Sequence, residues 1–145
     1  MILADEAATA ALGRAIAGLL RPGDVVALEG PLGVGKTALA RAILAGAGHD
    51  GEVPSPTFAI VQPYEHLPLP IWHADLYRLE DPDELEELGL DSALEDGALL
   101  VEWPSRAGSG AWRQALRLSL AFGEGGARRL TAEPPASWED RWPPR

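Results

Sequence analysis

The chain contains no cysteine, a single lysine, a single methionine and only two phenylalanines. Without cysteine, disulfides, thiolate catalysis and Cys-based zinc sites are excluded. Apolar runs are short, and none approaches the ~18 uninterrupted apolar residues that a membrane span needs. The first residues, Met1 to Glu6, bring two acids where a secretory leader has a basic start, and Arg14 interrupts the apolar run behind them. The expectation is a soluble, cytoplasmic protein that does not engage membranes. Positive charge is also scarce: 12 basic residues face 22 acidic ones, for a net charge of -10. Such a balance excludes a broad surface for tracking phosphate backbones, so any nucleic acid is expected to be reached indirectly.

What is present suits one globular domain. The 145 residues are 46% apolar and 23% charged. Ala8, Leu12, Ile16 and Leu19/Leu20 recur at helical spacing, predicting a helix over 5–20 with Asp5 as its N-cap. Val25 to Glu29 is an apolar run of strand length, followed by a glycine-rich segment and an alanine-rich helix ending near Gly46. Residues 58–64 and 71–77 read as strands, and Asp81-Pro82 reads as the cap and first position of an acidic helix. A strand over 98–103 and a hairpin of 116–122 with 128–132 complete the pattern. Helices alternating with early strands predict an α/β fold with a mostly parallel central sheet and a C-terminal antiparallel hairpin. The domain is expected to span 1–132, leaving a proline-rich, poorly ordered tail over 133–145.

The segment Gly30-Pro31-Leu32-Gly33-Val34-Gly35-Lys36-Thr37 places Gly30, Gly35, Lys36 and Thr37 in the P-loop frame. Glycines at this spacing let backbone N–H groups turn inward around phosphates, and a helix starting near Lys36 points its positive end at them. Gly33, Val34, Gly35, Lys36, Thr37 and Ala38 are thus the expected phosphate contacts. Lys36 supplies charge to the β- and γ-phosphates, and the Thr37 hydroxyl ligates magnesium. Eleven of the twelve basic residues are arginine, so position 36 is where an ammonium on a thin stem is specifically required. The chain has no asparagine and no second lysine, which rules out the Asn-Lys-x-Asp base-reading motif of Ras-type GTPases.

Two carboxylates at strand ends accompany this loop. Asp75 is expected to hold magnesium directly or through water. Glu102 is expected to orient water or complete the metal shell. Each also has a plainer reading as an acid at a turn. Thr57, in Ser55-Pro56-Thr57, either reaches the γ-phosphate or belongs to a rigid turn. Trp103 is placed near the site by its neighbour Glu102. His49 and His73 lack metal-ligand partners at useful spacing and read as structural. Eleven of the acids fall between Asp75 and Glu102, forming either a solvated face or a docking surface for a basic partner.

Together, the P-loop, Ser55-Pro56-Thr57, His73-Ala74-Asp75-Leu76-Tyr77-Arg78 and Val101-Glu102-Trp103-Pro104 resemble the bacterial TsaE family (older name YjeE) over about residues 3 to 132. The four blocks in this order are distinctive, whereas the P-loop alone is generic. The resemblance implies a small magnesium-dependent ATPase, weak on its own, acting with TsaB and TsaD. Together they place a threonylcarbamoyl group on the adenosine next to the anticodon of tRNAs reading A-starting codons. It also implies that Thr37, Asp75 and Glu102 serve magnesium, that Asp5, Glu6 and Thr9 lie near the adenine, and that Arg129 approaches the nucleotide. Pro31 stands where the family commonly has an acid, and Ala38 where it has a second Ser or Thr. The tail has no matched counterpart.

Two other readings fit a P-loop. A small-molecule kinase needs an acceptor pocket and an arginine-bearing lid, and the acidic stretch after the P-loop helix disfavours it. A nucleotide-gated binding module with incidental hydrolysis would differ from an ATPase in tolerating loss of Glu102.

Overall fold

Val25–Glu29 (β2) follows the turn at Gly23 and is buried at its first four positions. A strand so covered needs neighbours on both edges and layers on both faces. The computed structural model describes residues 1–53, 61–81, 83–108 and 111–144. Within it, β2 lies at the centre of a seven-stranded sheet of order β1-β7-β6-β2-β5-β4-β3. The other strands are Ile2–Leu3 (β1), Val61–Tyr64 (β3), Ile71–Asp75 (β4), Ala98–Glu102 (β5), Leu116–Phe122 (β6) and Arg128–Glu133 (β7). The inner four run parallel, through the β6–β2, β2–β5 and β5–β4 pairs. The edges are antiparallel, through β3–β4, β6–β7 and β1–β7. The sheet is therefore mixed, with the expected hairpin at β6–β7 and an additional short strand at the N-terminus.

Strand alternation divides the core into two layers. On one face Val26, Leu28, Ile71, Leu100, Leu116 and Leu118 pack against Leu12 and Ile16 of Glu6–Ala17 (α1) and Leu39, Ile43 and Leu44 of Lys36–Gly46 (α2). On the other, Val25, Ala27, Ala74, Leu99 and Val101 meet Leu90 and Ala93 of Leu90–Asp96 (α4). The two long helices touch closely because Gly13 has no side chain. A Cβ there would lie 2.3 Å from that of Ala42.

The Asp5 carboxylate caps α1 as expected, accepting from the Ala8 N–H at 2.9 Å. The acidic helix departs from its reading. Asp81 instead closes a local turn by accepting from the Asp83 N–H, and the short helix Glu84–Glu87 (α3) starts later. Pro82 lies outside the described residues. Gly89, in the left-handed region at φ 67°, then separates α3 from α4.

The proline-rich tail makes specific contacts with the domain. It buries Trp138 completely in the layer beneath α1 and α2. The Arg141 guanidinium grips both oxygens of the buried Asp24 carboxylate at 2.6 and 3.1 Å and donates to the Leu19 carbonyl. Prolines stiffen this segment without preventing it from packing, because its side chains supply the contacts. Among the described residues no helix is long and apolar enough to cross a membrane.

Candidate functional site

The loop between β2 and α2 makes the phosphate cradle. Gly33 and Gly35 adopt φ of 78° and 115°, a region that costs an L side chain energy and leaves glycine free. Gly35 precedes α2 without capping it through a side chain, so the first helical N–H groups remain available at the positive end of the helix. The Lys36 ammonium bonds the Gly30 and Pro31 carbonyls at 2.5 and 3.1 Å and sits 3.9 Å from the centroid of the Trp103 ring. Trp103 itself is held at φ 58°, and its indole also meets the Tyr77 ring.

Parallel pairing assembles the acids beneath this loop. In the β4–β5 register Asp75 lies opposite Glu102, and in β2–β5 Leu28 lies opposite Glu102. Glu102 is almost wholly buried. Its Oε1 accepts from the Thr37 hydroxyl at 2.7 Å, and its Oε2 lies 2.6 Å from His73 Nε2. Asp75 is half-buried, its Oδ1 accepting from the Tyr77 N–H. Burial raises the Asp75 pKa above 3.8, assisted by repulsion from Glu102 and opposed by the Tyr77 bond and by attraction to Lys36. Burial lowers the Lys36 pKa below 10.5, opposed by Glu102 and Asp75.

Beside the loop opens a cleft of about 760 Å³. Gly33, Val34, Gly35 and Ala38 form one wall, and Asp5, Glu6 and Thr9 at the start of α1 form another. The P-loop thus joins two groups of expected residues, the cleft on one side and the Lys36–Thr37–Asp75–Glu102–Trp103 cluster on the other. Arg129 is exposed on β7, and its neighbour Arg128 lines the cleft. Arg128 faces the same side as buried Leu130 and donates to the Val34 carbonyl at 2.8 Å. Arg41, also absent from the expected set, shares that wall and donates to the Val53 carbonyl. Ser55, Pro56 and Thr57 lie outside the described residues.

His73 stands in this cluster rather than in the plain core. Its period-2 spacing from Asp75 puts both on one strand face, a signal visible in the sequence, but its partner Glu102 is 29 residues away. The donor set fits a phosphate chain with a hard divalent cation. The glycine cradle is open at Gly33 and Gly35, and Thr37, Asp75 and Glu102 offer only oxygen ligands.

A model of the family described as "Threonylcarbamoyl adenosine biosynthesis protein TsaE" matches residues 3–130. The chain belongs to the TsaE family. Curated TsaE relatives include one from Rickettsia bellii, 43% identical over 70% of this chain and 72% of its own length. Another, from Bacillus subtilis, is 45% identical over 66% of this chain and 60% of its own. The Rickettsia felis TsaE is 41% identical over 71% of this chain, which spans 61% of that relative. Among solved structures, YdiB of Bacillus subtilis superposes with a TM-score of 0.79 at 28% identity, covering 97% of this chain and 87% of YdiB. Membership of the TsaE family, the α/β P-loop architecture and the nucleotide site it implies agree with the four sequence blocks.

Proposed function

We propose that this TsaE-family chain binds ATP with magnesium and hydrolyses it as a subunit required for threonylcarbamoylation of the tRNA adenosine adjacent to the anticodon, together with TsaB and TsaD. The observation that carries this reading is the meeting of Thr37 with Glu102 at 2.7 Å beside Lys36 and Asp75. These residues come from three elements, yet they present the phosphate and metal ligands at one loop. Magnesium, when bound, neutralises phosphate charge and organises the reacting oxygens.

The chain's own residues supply the rest. Backbone N–H groups of 33–37 hold phosphate oxygens, and Lys36, buried and pre-positioned by two carbonyls, adds a fixed positive charge. Thr37, Asp75 and Glu102 hold the cation, with Glu102 also placed to orient the attacking water. Asp5, Glu6 and Thr9 line the cleft where the base fits. Arg128 braces the loop through Val34. A compartment without membrane association, the cytoplasm, suits this work.

The decisive experiment is reconstitution of the modification on unmodified tRNA with TsaB and TsaD. Omitting this chain or ATP is expected to stop product formation, and unchanged product on omission would overturn the assignment. Glu102→Ala then tests the use of turnover: hydrolysis and modification are expected to fall together.

A further inference from the structure

His73 is completely buried, and the face of the sheet it occupies is otherwise aliphatic up to the acids of the site. Its strand neighbour on that face is Ile71, and across the sheet lie Leu100, Leu28 and Leu118. An imidazole in such a layer costs desolvation that leucine or valine would avoid. Among the described residues the ring makes one hydrogen bond: Nε2 lies 2.6 Å from Glu102 Oε2, while Nδ1 finds no hydrogen-bond partner. A residue selected for packing alone would leave no such orphan. The other Glu102 oxygen is taken by the Thr37 hydroxyl, so both ends of one carboxylate are fixed from opposite sides.

We propose that His73 is a positioning residue for the metal ligand Glu102, donating from Nε2–H to Oε2 and so locking the carboxylate plane against Thr37. This role rests on the magnesium-nucleotide reading of the site. A buried carboxylate held by one bond can still swing about its terminal torsions, which are broad and two-fold. A second bond from a ring that is itself fully buried on β4 removes that freedom. Partners of this kind raise the order and basicity of a ligand they never replace. The same role accounts for two residues of one strand, His73 and Asp75, sharing the face beneath α2: one is offered to the cation and the other supports a ligand from the adjacent strand.

The test measures Mg²⁺ affinity by calorimetry in the presence of saturating ADP, alongside ADP affinity without metal. His73→Phe keeps the ring volume and removes the donor, and is expected to weaken Mg²⁺ by about 10- to 100-fold while metal-free ADP binding changes less than twofold. His73→Gln restores an N–H near the Nε2 position and is expected to recover most of the loss. Mg²⁺ affinity within twofold of wild type in a folded His73→Phe protein would overturn the proposal.

A second measurement needs no substitution at position 73. In the wild-type chain, nitrogen NMR is expected to show His73 carrying its proton on Nε2, with a slowly exchanging proton that shifts in Glu102→Gln. A ring protonated on Nδ1 alone would overturn the proposal even if the Phe variant failed to fold. If wild-type protein bound ADP with no dependence on Mg²⁺, the magnesium-nucleotide reading itself would fail first, an outcome distinct from a silent His73 variant.

Discussion

Lys36 is the chain's one lysine, so its ammonium and the N-terminal amine are the only amines that an acylating reagent can find. An amine-reactive ATP analogue is expected to modify Lys36 or Met1 and nothing else, with ATP protecting Lys36. Peptide mass mapping checks this, and labelling of Lys36 that ATP does not block would contradict the phosphate role. Asp75 gives a pH test at the same scale. Its folded pKa is raised above 3.8, chiefly by burial, so the ionised form costs stability above the unfolded value. That cost disappears as pH falls below it, where both states are protonated. Asp75→Asn keeps an acceptor for the Tyr77 N–H and removes the cost. The ligand-free variant is therefore expected to melt a few degrees higher than wild type at pH 7, with the gain lost near pH 3.5. Its Mg²⁺-dependent ADP stabilisation should meanwhile shrink. A variant that melts lower at pH 7 would show that the carboxylate stabilises the free fold.

Elements whose signals are local are legible in the sequence. β2, the P-loop and α2 follow one another within 22 residues, and hydrophobic period, glycine spacing and helix propensity agree there. The acidic helix starts later than its sequence suggests because an Asp before Pro closes a turn as readily as it caps a helix. The tail's packing is hidden from sequence because its anchors are remote: Arg141 meets Asp24 across 117 positions, and no local pattern announces that pairing. Two substitutions test the elements. Gly13→Ala forces a methyl against the α2 backbone, where even the Ala42 carbonyl carbon would be only 2.6 Å away. Overpacking there is expected to cost about 1–3 kcal/mol and to weaken nucleotide binding, since α1 carries Glu6 and Thr9 and is capped by Asp5. Trp138→Ala is expected to cost about 3–5 kcal/mol in urea unfolding while leaving metal-free ADP affinity unchanged, because Trp138 is no part of the cleft wall. Wild-type stability in this variant would return the tail to the status of a loose end.

At the scale of the whole molecule, the site is legible in the sequence as a set of residues but not as an arrangement. Lys36, Thr37, Asp75 and Glu102 can each be named from motif and strand end. The pairing of Glu102 with Thr37 and His73 requires the β2–β5–β4 register, which sequence spacing does not specify. The facing of Arg128 and Arg129 is hidden for a similar reason: only strand pairing decides which of the two lines the cleft. Net charge, by contrast, needs no structure to be read. At -10, the chain repels a polyanion at long range, and repulsion of this kind lowers both association rate and affinity. Non-specific binders with basic faces reach dissociation constants of about 10⁻⁴ to 10⁻⁶ M at physiological salt, so the free chain is expected to bind tRNA more weakly than about 10⁻⁴ M. Fluorescence anisotropy with labelled tRNA checks this with the chain alone and again with TsaB and TsaD present. Tight binding by the free chain that weakens steeply with added salt would reveal a basic face that the composition hides. It would also place tRNA contact in this chain itself.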